Sequence, residues 1–265
     1  MLSEQQKAFA RILDLVEEAG RMPHLVLVGS WAEFVYKEAE MLPGFDPNIR
    51  TRDVDFLVRN LRKPNPPAGL AGIARERGYF VESDRVTGTT KILDVSGLEV
   101  EFLIGKRGAG VEPSLRTNIG VTAQALRHLD MLSSNTAAVL CLGHLVHVPI
   151  PEAYAVHKMV INEERGAKAE KDIVAVSGIM PFLDKSIIEE LLGCLSKKEK
   201  RLVLNSAQFQ QIQAPLPEDL VRLYTSGAYF KRSEKLSSMM SDPASRISCA
   251  VWYPHETPMP QAPAR

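Results

Sequence analysis

The segment TRDVDFLV restricts this chain more than any other, because Asp53 and Asp55 alternate there with Val54, Phe56 and Val58. Alternation of that kind is a β-strand with one apolar face and one face that starts with carboxylates. Side chains two apart on a strand lie side by side, and two such carboxylates repel unless a cation bridges them or one is protonated. A second alternating segment, LEVEFLI, puts Glu99, Glu101 and Leu103 on one face and Val100, Phe102 and Ile104 on the other. Either glutamate supplies a third acid. Hard oxygen donors in this grouping suit magnesium, which binds through one or two carboxylates plus substrate phosphates. Taken singly, an Asp-x-Asp strand is more often an exposed edge.

The expected organisation is α/β (α+β), a mixed sheet with flanking helices followed by a helical part. Residues 4–19 have helical apolar spacing and stop at Gly20. HLVLVGS reads as a buried strand running into a turn, residues 31–41 as a helix, and the Pro/Asn-rich residues 61–69 as a connection. GLAGIARERG is a short helix, GYFVES and TTKILDV are strands, and TAQALRHLDMLSS is expected to be a helix. TAAVLCLGHLVHVPIP reads as a hairpin turning at 142–144. Residues 152–164, 167–182, 185–196, 197–212 and 217–226 all read as helical. These place an α/β domain at 1–148, a helical domain at 149–245 and a Pro-rich tail at 246–265.

With 265 residues and 45% hydrophobic content, the chain can bury a sizeable core. Lys plus Arg and Asp plus Glu are each 32, so net charge gives no whole-protein argument for nucleic acid or a membrane. Cys141, Cys194 and Cys249 lack metal or disulfide spacing and are expected to be buried, reduced thiols. The charged N-terminus is unlike a signal peptide and no segment reaches the ~20 apolar residues of a span, so a cytoplasmic protein is expected.

Gly29-Ser30, after a strand and before a helix, offers free backbone N–H groups and a hydroxyl at a helix N-terminus, which together form a phosphate cradle. Lys158, Arg165, Lys168 and Asp172 would fall within roughly 80° of one another on one continuous helix, with Ile173 and Val176 toward the core, unless Gly166 splits it. Such a basic stripe suits a triphosphate, although a solvated charged face has the same pattern. His157 reads as packing or orienting at least as readily as catalytic, and His144 and His147 lack a third metal ligand. Arg107 is a loop cation within reach of a phosphate, and KKEKR at 197–201 is a solvated surface before it is an RNA contact. Trp31 and Phe34 read as core; Tyr154 is a minority candidate for base stacking.

VLVGSWAEFVY followed by TRDVDFLV resembles the signature of the polymerase-beta-type nucleotidyltransferase superfamily. VPIPEAYAVHKMVINEERGAKAEKD is similar to elements of a bacterial group of minimal-type nucleotidyltransferases, and abortive-infection toxins resemble it more distantly. The resemblance spans about residues 20–185. It implies that Gly29 and Ser30 contact a nucleoside triphosphate, with Lys158, Arg165, Lys168 and Asp172 also at the nucleotide. It further implies that Asp53 and Asp55 ligate Mg2+ or Mn2+, and that Glu101 completes the metal set and helps deprotonate an acceptor hydroxyl. Glu101 is favoured over Glu99 because Phe-Leu follows it, as in the family. The Ser30–Asp53 spacing is longer than the family's, and the third acid is Glu where Asp is more frequent. RNA, a protein or a small molecule is the implied acceptor. A catalytically inactive nucleotide- or RNA-binding module and a toxin-like enzyme modifying tRNA are the alternatives.

Overall fold

The computed structural model describes residues 2–47, 51–59, 69–106, 112–206, 209 and 250–252. Arg107, the 217–226 helix, most of the 61–69 connection and nearly all of the 246–265 tail, Cys249 included, lie outside the described residues.

Helix α1 (Glu4–Glu18) starts at Ser3 with a reciprocal capping box to Gln6 and buries Phe9, Ile12, Leu13 and Val16. Strand β1 (Leu25–Val28) is wholly buried and leads through Gly29 into α2 (Ser30–Glu38). The main sheet continues with β2 (Asp53–Val58), then helix α3 (Leu70–Glu76), β3 (Phe80–Ser83), β4 (Thr90–Leu93) and β5 (Glu99–Gly105). Its order is β1-β2-β5-β4-β3, with β2 and β5 parallel and the other pairs on that path antiparallel. One face of this sheet, including Leu27, Phe56, Val100 and Phe102, packs into the large core with α1 and α2.

Beyond β4, the same edge of β5 pairs in parallel with β7 (Thr122–Leu126), which pairs in turn with β6 (Ser114–Arg116). The expected helix TAQALRHLDMLSS is therefore a strand followed by the short helix α4 (Asp130–Ser134). Ala, Gln and Leu favour helix locally, but the open edge of β5 at Leu103–Gly105 supplies a ladder, and Ala123 and Ala125 are buried against the sheet. His128 in the left-handed region (φ 64°) separates the two elements.

The hairpin of β8 (Thr136–Cys141) and β9 (His144–Pro149) turns at Leu142-Gly143, and β10 (Ala250–Trp252) pairs with β8. Helices α5 (Pro151–Ile161), α6 (Ala169–Ile179), α7 (Lys185–Gly193) and α8 (Lys197–Asn205) follow, and all four contribute to the core around α1 and the sheet. The 158–172 segment is not one helix: 3-10 turns occupy Asn162–Glu164 and Gly166–Lys168, and Gly166 has φ 53°. That break turns α6, so Val176 is buried but Ile173 is 39% exposed rather than in the core. Cys141 is buried as expected, whereas Cys194, at the end of α7, is exposed.

One long-range ion pair ties α1 to the β4–β5 turn. Arg11 grips Asp94 through Nε (3.2 Å) and Nη2 (2.6 Å), and Ser96 adds a backbone and a hydroxyl donor. Burial alone would raise the Asp94 carboxyl, but the bonds from Arg11 and Ser96 outweigh it and hold it down to about 2. Arg11→Met is expected to destabilise the protein at pH 7 by roughly 1.5–3 kcal/mol. Because the folded pKa lies below the unfolded ~3.9, the Asp94 contribution is full above that value and fades toward pH 2. Urea midpoints of parent and variant should differ at pH 7 and converge as pH falls through that window; a constant gap would contradict this account.

Candidate active site

The site begins with strand register. Asp53 lies opposite Glu99 and Asp55 opposite Glu101 across the parallel β2–β5 pair, so all four carboxylates emerge from one sheet face. The next rung on that face, Leu57 opposite Leu103, joins a small apolar cluster with Val26, Val28, Leu129 and Leu132. The carboxylates therefore have an apolar floor at one end, and Asp55 is the one nearest to it.

Across the antiparallel β1–β2 pair, Val28 lies opposite Asp55, so the chain leaves β1 right beside this carboxylate. Gly29 has φ 70° and ψ −159°, and a Cβ there would stand 2.3 Å from Asp55 Oδ2. Both the positive φ and the contact demand glycine. Ser30 then opens α2, whose first turn has no side-chain cap, and of its N–H groups the Ala32 one donates to the Gly29 carbonyl at 3.2 Å, so the positive end of the helix faces the bend without a side-chain acceptor. The long segment between Ser30 and Asp53 does not separate them: the bend and the carboxylate touch.

Asp55 is pushed up to about 6, first by burial, then by the negative charges of Glu101 and Asp53, with Lys168 and Lys158 pulling the other way. Among the carboxylates, Glu101 weighs most on Asp55. Two cations from the helical part thus act on the same group as the acids of the sheet.

Of those cations Lys158 is held, together with Arg165, by Asp172, which is 1% exposed. Its Oδ1 accepts from Lys158 Nζ at 2.6 Å and its Oδ2 from Arg165 Nε at 2.8 Å. The break at residues 162–168, rather than a continuous helical stripe, brings Arg165 back toward α6. Asp172 is thereby a buried anchor for two cations, while Lys168 is exposed. Lys158 also sits 5.0 Å from the Tyr154 ring centroid, and the Tyr154 hydroxyl donates to Glu33 Oε1 at 2.5 Å. Tyr154, 2% exposed, is core and not a stacking platform, as are Trp31 and Phe34, which pack with Phe9.

His157 is pushed down to about 3, first by burial and then by Lys158, His128 and Arg165, so it is neutral at physiological pH. That fits the packing reading. His144 bonds Glu17 (2.8 Å) and lies 3.2 Å from Asp14, pinning the β8–β9 hairpin to α1. His147 is half-buried and lowered to about 4, by burial first and the Arg59 charge second.

Two residues of the site escaped the sequence reading. Glu33 follows the Gly-Ser bend on α2, where its acid is masked by the aromatic residues around it; burial raises its carboxyl, against the Tyr154 bond and the charges of Lys158 and Lys171. Lys91 on β4 faces Glu101 in register and donates to both Glu99 and Glu101, the latter at 2.7 Å. The hairpin ILDVSGLEVEF carried that signal, since a three-residue turn fixes Asp94 opposite Leu98 and hence Lys91 opposite Glu101.

The donor set suits a hard divalent cation in kind: oxygens only, on one face, one of them held off its ordinary titration by burial first and by neighbouring negative charge second. Among the described residues no three His, Cys, Asp or Glu side chains are already closed around a common metal position. Glu101 is turned to Lys91.

An unfolded aspartate titrates near 3.9, so between about 4 and 6 the folded protein holds an extra proton at Asp55. Stability therefore falls as pH rises through this window, and the deficit is complete above it. Asp55→Asn is expected to stabilise the chelator-treated protein at pH 7.5, by roughly 2–3 kcal/mol, and to leave it unchanged below pH 4. Thermal melts at the two pH values test this; an equal effect at both would contradict it.

A nucleotidyltransferase family model matches residues 7–194. Among solved structures, an antigenic nucleotidyltransferase-like protein from Paracoccidioides brasiliensis is 15% identical, with 94% of each chain covered and a TM-score of 0.38. The antibiotic-resistance factor ANT(2'')-Ia is 13% identical, with 88% of this chain and 96% of that one covered and a TM-score of 0.37. No curated protein matches in sequence. With the family model spanning most of its length, the chain belongs to the nucleotidyltransferase family.

Proposed function

We propose that this nucleotidyltransferase moves a nucleoside monophosphate from a nucleoside triphosphate to an acceptor hydroxyl, with Mg2+ or Mn2+ held by Asp53, Asp55 and Glu101. The observation that carries it is the contact between the Gly29 bend and Asp55, which sets a phosphate cradle against a carboxylate cluster.

The uncapped N-terminal end of α2 at the Gly29-Ser30 turn holds phosphate oxygens, and the Ser30 hydroxyl adds a donor. Lys158 and Arg165, fixed by Asp172, meet the remaining negative charge, with Lys168 at the outer edge. Asp53, Asp55 and Glu101 would hold the divalent cation, which when bound would supply Lewis acidity toward the phosphates and the attacking hydroxyl. The acceptor oxygen bonds to the α-phosphorus as the bond from that phosphorus to the bridging oxygen breaks. Pyrophosphate leaves with the bonding pair, and Glu101 takes the hydroxyl proton. Positioning and fixed charge do the greater part of this work.

Labelled nucleoside triphosphates, Mg2+ and a panel of RNA, protein and small-molecule hydroxyl acceptors test the reading. The parent chain should form a labelled product and release pyrophosphate, and Asp53→Ala or Asp55→Ala should lower the rate by at least about a hundredfold. Lys158→Met should raise the KM for the triphosphate. Product formed equally by parent and Asp55→Ala would falsify the assignment.

A further inference from the structure

Four carboxylates on one sheet face are answered by a single ammonium from the neighbouring strand. Lys91 stands opposite Glu101 in the antiparallel β4–β5 register, and its Nζ bonds Glu101 and Glu99 together. The three side chains are between 25% and 32% exposed, so water screens the cluster only in part. A cross-strand Lys–Glu pair is ordinarily a modest stabiliser of a sheet. Here, however, Glu101 also stands directly opposite Asp55 in the parallel β2–β5 register. Lys91 therefore occupies a carboxylate that a cation at Asp55 would need.

Building on the metal reading above, we infer that Lys91 is the resident counter-cation of this site: it holds Glu101 in the metal-free protein and releases it when a divalent ion arrives. Glu99 is what makes the exchange feasible. It lies on the same face one rung away, so the ammonium keeps a partner after Glu101 turns to the metal. Asp53 and Asp55 then form the first landing point, and Glu101 closes the set in a second step. The fixed positive charge lowers the affinity for a bare ion, so a cation already carried by triphosphate oxygens, which brings its own ligands, is favoured over free metal. Lys91 is thus a positioning residue for Glu101 and a control on metal loading.

Mn2+ binding to the full-length, nucleotide-free protein, followed by electron paramagnetic resonance, separates this role from simple sheet packing. Lys91→Met and Lys91→Gln should each bind Mn2+ roughly tenfold more tightly than the parent, a charge effect at short range, while Lys91→Arg should stay near the parent value. Equal or weaker binding in both neutral variants, with Asp55→Asn losing Mn2+, would overturn the role of Lys91 and leave the metal reading standing. No Mn2+ bound by any of the proteins would overturn both.

Discussion

Crowding of negative charge on one sheet face is the constraint around which the rest of the molecule is arranged. The parallel register of β2 and β5 stacks Asp53 on Glu99 and Asp55 on Glu101. In the absence of countercharge that arrangement is unfavourable, and at Asp55 the repulsion from Glu101 and Asp53 adds to the larger cost of burial in raising the carboxyl. Three features answer it: Lys91 from the adjoining strand, Lys158 and Lys168 from the helical part, and the N–H-rich bend at Gly29. The apolar side of the same strands supplies the rigidity, since Val54, Phe56, Val100 and Phe102 are locked in the core and fix where the acids point.

Much of this was legible from local pattern. Alternation in TRDVDFLV and LEVEFLI identified both strands and their polar faces, because period-two burial is a property of the strand itself. The Gly-Ser bend was legible because only glycine tolerates what that turn requires. The choice between Glu99 and Glu101 was not settled by spacing, since both lie on one face; it depends on the register between strands far apart in sequence. The failure at TAQALRHLDMLSS has the same origin. Its local preference is helical, but the free edge of β5 was invisible until the sheet was assembled.

The basic group shows a different relation between sequence and structure. Lys158, Arg165 and Asp172 do converge, yet not along a helical stripe. Gly166 breaks the helix, the chain doubles through two 3-10 turns, and a single buried carboxylate gathers the two cations. The misplacement of Ile173 follows directly from this, for a stripe computed across a break assigns the wrong face to everything beyond it.

The two halves of the site are also joined through the interior. Glu33 sits one turn into α2, directly behind the Gly29-Ser30 bend, and accepts from Tyr154, whose ring lies under Lys158, which in turn binds Asp172. Burying such groups costs heavily unless every member is partnered, and here each has a partner on the next. An apolar core of equal volume would hold α2 and α5 together at least as firmly. What it would lack is a directional link between the element that carries the phosphate-binding turn and the element that carries the cation facing Asp55. The Tyr154 ring, itself held by its hydroxyl's bond to Glu33, and an ion pair to Asp172 fix Lys158 from two sides, so its ammonium is placed relative to the bend and not merely near it. For chemistry that depends on an in-line approach at a phosphorus atom, that kind of placement is worth more than the affinity of any one contact.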